Sequence, residues 1–262
     1  MRREHRIVDP DKAPEGFAGC SALALMTKAP RAGKVKTRLV PPLTNEEAAQ
    51  LNRCFLWDMG AAISGCCSGL ARLNSRPIAR GVAVYTPVGA ELDYADILPA
   101  DFTLLPQRGE NFGDRLCFAA EDLFKCGFDS VCLVDSDSPS VPSENFTRAI
   151  ELLSSPGDQM VLGPCDDGGY YLIGLKQLHR EVFEEIDWST ERVFEQTKLR
   201  ATQIGIAVHE LPRGLDVDDH ATLRRLCDEL LGKNTRHNVA PRTQQFLREL
   251  VGRDGGKRIL AL

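Results

Sequence analysis

At 262 residues the chain can bury the core of one large α/β domain or two small ones. Its 32 Lys and Arg against 37 Asp and Glu leave a formal net charge of −5, which excludes the broad basic field of a general nucleic-acid binder. Nine cysteines, an odd number without a C-x-x-C pair, fit neither a zinc site nor a secreted disulfide framework; most stand in apolar runs, as reduced thiols do in a reducing compartment.

Residues 1–18 are charged, contain Pro10 and Pro14 and show no period, so a loosely held N-terminal extension is expected. Residues 16–27 are uncharged, but twelve residues are too few to span a bilayer. Phe17-Ala18-Gly19-Cys20 mimics a lipoprotein cleavage site, yet the apolar segment follows the cysteine and Asp9, Asp11 and Glu15 precede it. A cytoplasmic protein with no membrane partner is therefore expected.

The apolar run 21–27 reads as a buried strand, followed by a cation-rich loop over 28–38 that Pro41-Pro42 keeps from becoming one helix. Thr44 and Glu47 stand at capping-box spacing before apolar residues that recur through Met59 and Ile63. Residues 81–86 and 102–105 read as strands, 114–124 as a helix, and 130–134 as a buried strand running into Asp135-Ser136-Asp137-Ser138-Pro139. A helix over 143–153 precedes strands at 160–163 and 170–175, joined by Cys165-Asp166-Asp167-Gly168-Gly169. Then come a helix around 191–201, a strand at 207–211 and an amphipathic segment over 216–231. The alternation predicts an α/β fold: a Rossmann-like, mainly parallel open sheet with helices on both faces. The expected organisation is an extension (1–18), one domain (19–231) and a peripheral helical tail (232–262).

In such sheets ligands lie beyond the carboxyl ends of the strands, and three unusual segments fall there. The loop 28–38 carries Lys28, Arg31, Lys34, Lys36 and Arg38, with Gly33 for backbone freedom; cations so placed hold phosphate oxygens, though a hydrated basic loop has the same composition. It is not a Walker A loop, because Lys28 stands five residues before Gly33. Asp135 and Asp137, at i and i+2, point to one side and repel unless a cation lies between them, which suits Mg²⁺. Either aspartate alone would pass as a cap. Asp167-Gly168-Gly169-Tyr170 allows close backbone approach to a ligand, but a hairpin turn needs the same residues. Asp216-Val217-Asp218-Asp219 opens a helix with more acid than capping requires, which suggests further metal ligands. Trp188-Ser189-Thr190-Glu191 reads as a helix start, Phe112-Gly113 as a loop entering a helix, and His179, His209, His220 and His237 have no catalytic partner pattern.

Six segments in this order carry a resemblance: KAPRAGKVKTRL (28–39), NFGDRL (111–116), LVDSDSP (133–139), LGPCDDGGYYLIGL (162–175), DWSTERV (187–193) and LDVDD (215–219). Over about residues 20–225 the chain resembles the glycosyltransferase-A-type nucleotide-diphospho-sugar transferase superfamily. Within it, the chain looks like the bacterial glycosyltransferase-like subgroup related to phospholactate guanylyltransferase and the molybdenum-cofactor nucleotidyltransferase. The resemblance implies that Lys28, Lys34, Lys36 and Arg38 wrap phosphates; Arg31, Gly33 and Asp135 are expected on the same nucleotide side from their places in the sequence. The resemblance also implies a metal, Mg²⁺ or Mn²⁺, on Asp137 with Asp216 or Asp218, and an acceptor side at Asp167, Gly168, Gly169 and Tyr170. The chain departs from the pattern at Asp135, which takes a position usually held by glycine.

Three functions follow from that reading. The first is Mg²⁺-dependent transfer of a sugar from a nucleotide sugar to a small acceptor, with Asp167 as base and Lys36, Arg38 and Asp137 completing the catalytic set. The second is nucleotidyl transfer from an NTP to a phosphorylated acceptor with release of pyrophosphate. The third is a non-catalytic nucleotide-binding module, against which the retention of both acidic clusters and the cation loop argues. The expected partners are a nucleotide or nucleotide sugar and a small acceptor.

Overall fold

Eight strands form a single sheet in the order β1-β4-β3-β2-β5-β7-β6-β8 in the computed structural model, which describes residues 4–12, 16–74, 78–232, 239–254 and 256–260. Residues 1–3 and 13–15 of the expected extension lie outside the described residues, as do 233–238 (with His237), 255 and 261–262 of the expected tail. The strands are β1 (Arg6–Ile7), β2 (Ser21–Lys28), β3 (Ala79–Thr86), β4 (Thr103–Pro106), β5 (Ser130–Val134), β6 (Gln159–Pro164), β7 (Tyr170–Leu175) and β8 (Ala207–Glu210). All neighbours are parallel except β7, which runs antiparallel to both β5 and β6. The expected Rossmann-like sheet is therefore present.

The helices are α1 (Asn45–Asn74), α2 (Phe112–Lys125), α3 (Ser143–Leu153), α4 (Val193–Gln203), α5 (His220–Leu231) and α6 (Pro241–Asp254). The sheet is buried on both faces, so its central strands read as unbroken apolar runs. Along β2, Leu23 and Leu25 enter the core beneath α1 and α3, whereas Ala22 and Ala24 enter the one beneath α2. Helix α1 starts as expected: Thr44 Oγ1 accepts from Glu47 N–H at 3.1 Å, and Glu47 Oε2 accepts from Thr44 N–H at 2.9 Å.

Among the described residues, parts of the 4–18 segment and helix α6 are held more firmly than their composition predicts. Arg6 and Ile7 pair with Thr103 and Leu104, Val8 is buried, and the buried Phe17 stacks on Phe128 with ring centroids 4.3 Å apart. Two residues of strand are too few to show a period, which is why the segment reads as loose in the sequence. In the tail, α6 buries Leu247 and Leu250 in a third core shared with α5 and the start of α1. The Asp58 carboxylate, from α1, accepts from Arg242 N–H at 3.0 Å and Thr243 N–H at 2.8 Å, capping α6. All nine cysteines are free thiols and buried.

Candidate active site

The reversed strand β7 builds the site. Because it runs against β5, its first residues lie beside β5's carboxyl end, next to the loop where β2 also ends. A cavity of about 540 Å³ opens there. It takes in Arg38, Asp135, Asp137, Asp167, Gly169, Tyr170, Asp216 and Asp218, residues that lie up to 180 positions apart in the chain.

Lys36 and four aspartates form the acidic end. Its side chain is 3% exposed, with Nζ 2.9 Å from Asp137 Oδ1 and donating to Val217 C=O at 2.5 Å. Phe55 lies beneath the amine, its centroid 5.6 Å away. Lys36 adopts left-handed backbone angles (φ 47°, ψ 36°), a conformation a non-glycine residue keeps only where its surroundings enforce it. Val217 N–H donates to Asp137 C=O at 3.0 Å, so the 215–219 segment is tied to the end of β5 through backbone and through Lys36. Val217 itself is buried, and Asp216 and Asp218 flank it.

The carboxylates are not equivalent. Asp218 is ion-paired with Arg38, and Asp219 closes a capping box with Thr222 at the start of α5. Asp135 Oδ2 accepts from Ser138 Oγ–H at 2.7 Å, but its Oδ1 and Asp216 Oδ1 are buried without a partner. Burial, reinforced by Asp216 and Asp137, holds Asp135 well above the usual carboxylate range. Burial and the Asp137 charge push Asp216 up to about 7. Burial also raises Asp218, against the attraction of Lys36 and Arg38. Among the described residues, no group of three or more His, Cys, Asp or Glu side chains is arranged to hold a metal ion by itself. Two buried, unpartnered carboxylate oxygens do fit a divalent cation that arrives on phosphate, since Mg²⁺ commonly takes one or two carboxylates and fills its remaining positions with phosphate and water oxygens.

The cation loop divides. Lys36 and Arg38 enter the site, whereas Lys28 and Lys34 are exposed and Arg31 turns away to Asp93, 2.7 Å from its carboxylate. Gly33, at φ 69°, permits the turn but does not line the cavity. On the opposite side Asp167 is exposed, with Oδ1 accepting from Gly169 N–H at 3.0 Å. Gly168 stands behind it at φ 89°; a Cβ there would lie 2.1 Å from Glu191 C=O, so the 165–169 turn and the 186–191 segment touch backbone to backbone. His179, His209 and His220 bond to Asp158, Gln159 and Ile259 C=O respectively, away from the cavity.

The remaining wall is apolar, built from residues that the sequence marks only as a loop entering a helix and as a helix start. Phe112, the first residue of α2, is 53% exposed, and its ring meets Trp188 edge-to-face with centroids 5.2 Å apart. Trp188 does not start a helix. It sits in a turn before α4, between Glu185 and Ser189, both non-glycine residues at positive φ (57° and 64°). The signal was present in NFG: a Cβ on Gly113 would come within 2.5 Å of Trp188 Nε1, so only glycine lets the indole pack there.

A model of the family DUF2064, described as uncharacterized proteins conserved in bacteria, matches residues 70–190. No curated protein matches the chain. A crystal structure from Desulfovibrio desulfuricans G20, provisionally described as a nucleotide-diphospho-sugar transferase, is 30% identical to it, with a TM-score of 0.75 over 90% of this chain and 96% of that one. The chain belongs to the nucleotide-diphospho-sugar transferase superfamily. That superfamily consists of enzymes, and the transferase shares its eight-stranded α/β architecture. Rv0371c from Mycobacterium tuberculosis H37Rv is 14% identical (TM-score 0.45, 81% of this chain and 100% of that one). CMP:2-keto-3-deoxy-manno-octonic acid synthetase, solved with CTP, is 11% identical (TM-score 0.45, 79% and 96%). Both likenesses are too distant to bear on the site. No helix among the described residues is long and apolar enough to cross a membrane.

Proposed function

We propose that the transferase moves a sugar from a nucleotide-diphospho-sugar to a small hydroxyl-bearing acceptor, with Mg²⁺ or Mn²⁺. One observation carries the reading: the cavity joins an acidic end, with two unpartnered carboxylate oxygens, to an apolar wall, and the only cation lining it among the described residues is Arg38. A phosphorylated acceptor would meet Asp135, Asp137, Asp167, Asp216 and Asp218, and the one lining cation among the described residues, Arg38, would be taken by the donor's diphosphate.

Asp135 and Asp216 would hold the cation, which would supply positive charge for the diphosphate leaving group. Arg38, already beside Asp218, is placed to exchange that partner for a phosphate oxygen. Lys36 fixes Asp137 and the 215–219 segment, so the acidic residues keep their spacing as the substrate enters. Asp167, the exposed carboxylate on the acceptor side, takes the acceptor hydroxyl proton. The acceptor oxygen then bonds to the sugar's anomeric carbon, the bond from that carbon to the diphosphate breaks, and the nucleoside diphosphate leaves with the electron pair.

The test follows the leaving group. Purified protein is incubated with Mg²⁺, a panel of nucleotide sugars and NTPs, and pooled small acceptors. Nucleoside diphosphate released from a nucleotide sugar is the expected product. Pyrophosphate released from an NTP would replace this reading with nucleotidyl transfer.

A further inference from the structure

The apolar wall has more structure than a surface packing pair needs. Large apolar side chains that stand singly on a surface are ordinary, and Val88 and Leu199 are examples here. Phe112 differs because its exposed ring faces a cavity. Beside it lie Trp188, Leu116, Val193, Met26 and Ile173. Trp188 is held from both directions, by Gly113, which leaves no room for a side chain, and by the left-handed Ser189 that follows it. Left-handed backbone at a non-glycine residue persists where the surroundings impose it, and it clusters at ligand sites. Asp167, one of several acids, lines the same cavity, while the single lining cation among the described residues, Arg38, is paired with Asp218.

We propose that Phe112 and Trp188 form the acceptor platform and select an uncharged acceptor with an aromatic or flat apolar face, its hydroxyl turned towards Asp167. The inference rests on the sugar-transfer reading for the role of that hydroxyl, and on the cavity itself for the binding. A flat ring on these two side chains gains stacking in addition to area removed from water. A phosphate or carboxylate on the acceptor would be repelled by the acids that line the same cavity. A polyol would cover the apolar wall without satisfying its own hydroxyls there.

The chain has two tryptophans, and Trp57 lies under the Arg242 guanidinium on α1, outside the cavity. A Trp57→Phe protein therefore reports on Trp188 alone. It is titrated with 2-phenylethanol, glycerol and glycerol 3-phosphate, with neither nucleotide nor metal present, and fluorescence is excited at a wavelength the ligands do not absorb. Saturable change with 2-phenylethanol, none with glycerol or glycerol 3-phosphate, and about tenfold weaker binding in Phe112→Ala is the expected result. Phe112→Tyr should retain the affinity, because it retains the ring; equal melting temperatures for the variants exclude unfolding as the cause. Tighter binding of glycerol 3-phosphate, or no response to 2-phenylethanol, overturns the proposal. The titration needs no turnover, so its failure is separable from failure of sugar transfer. A protein that binds 2-phenylethanol but releases pyrophosphate from NTPs keeps the platform and loses the reaction.

Discussion

Replacing Lys36 by methionine removes one charge while nearly preserving length, and the structure gives the consequence. The Nζ is buried, 2.9 Å from Asp137 and 2.5 Å from Val217 C=O, in a site that also holds Asp135, Asp216 and Asp218. Breaking a buried ion pair from one side costs about 3–5 kcal/mol, because the surviving charge is left without compensation. Asp137 is 35% exposed, so water recovers part of that. The orphaned Val217 carbonyl adds some of it back, at roughly 1–3 kcal/mol for a buried group left unpaired. A net loss of about 3 kcal/mol is expected at pH 8 without divalent cations, or ~6–12 °C in melting temperature for a chain of this size. At pH 5 the loss should shrink, because Asp216, pushed up to about 7 by burial and the Asp137 charge, then carries less charge. Urea denaturation and thermal melts in EDTA at both pH values measure this. A loss below about 1 kcal/mol at pH 8, or an equal loss at both pH values, would refute the reasoning that Lys36 is the counter-ion of the whole cluster.

Other perturbations test separate parts of the molecule. Asp216, raised to about 7 in the folded chain, contributes stability that is full below the ordinary carboxylate range and fades as pH climbs through 7. Without metal, Asp216→Asn should therefore melt above the parent at pH 8, with the difference vanishing near pH 4; a constant difference would count against the raised acid. Gly168→Ala sets a Cβ against Glu191 C=O at positive φ, so a loss of about 2 kcal/mol or more is expected in urea denaturation, and an unchanged midpoint would show that the two segments do not touch. Removing residues 1–18 exposes the sites of Val8 and Phe17, each worth about 1.5–3 kcal/mol when fully buried, and a truncated chain as stable as the parent would show that β1 does not pair.

The sheet was readable because its central strands are uninterrupted apolar runs. Residues 131–134 are apolar up to Asp135, so both strand and site edge announce themselves together. The capping box at Thr44 is equally local. What could not be read are choices made by distant packing. Five cations stand in eleven residues, and nothing in their spacing says that Lys36 goes inside while Arg31 turns to Asp93; that is decided by the Val217 carbonyl and Phe55, far along the chain. Trp188 reads as a residue before a helix because its partner, Phe112, stands 76 positions earlier and belongs to another element. The two-residue β1 lacks a period and becomes a strand only because β4 offers it an edge.

The reversed β7 has a consequence for how such a site diversifies. Parallel neighbours are joined by long crossovers, so a change at one strand end is felt through a helix and back into the core. The turn between β6 and β7 is five residues, anchored by two strands that pair with each other; Gly168 packs it against the Glu191 backbone, and Asp166 ties it to Arg225 of α5. On the proposed reading, acceptor choice rests on that turn, the 186–191 segment and the first turn of α2, whereas Asp135 and Asp137 follow directly from the buried strand β5. Under that reading, substitutions in these surface segments change the acceptor while leaving the end of β5, and the acids it carries, as they are.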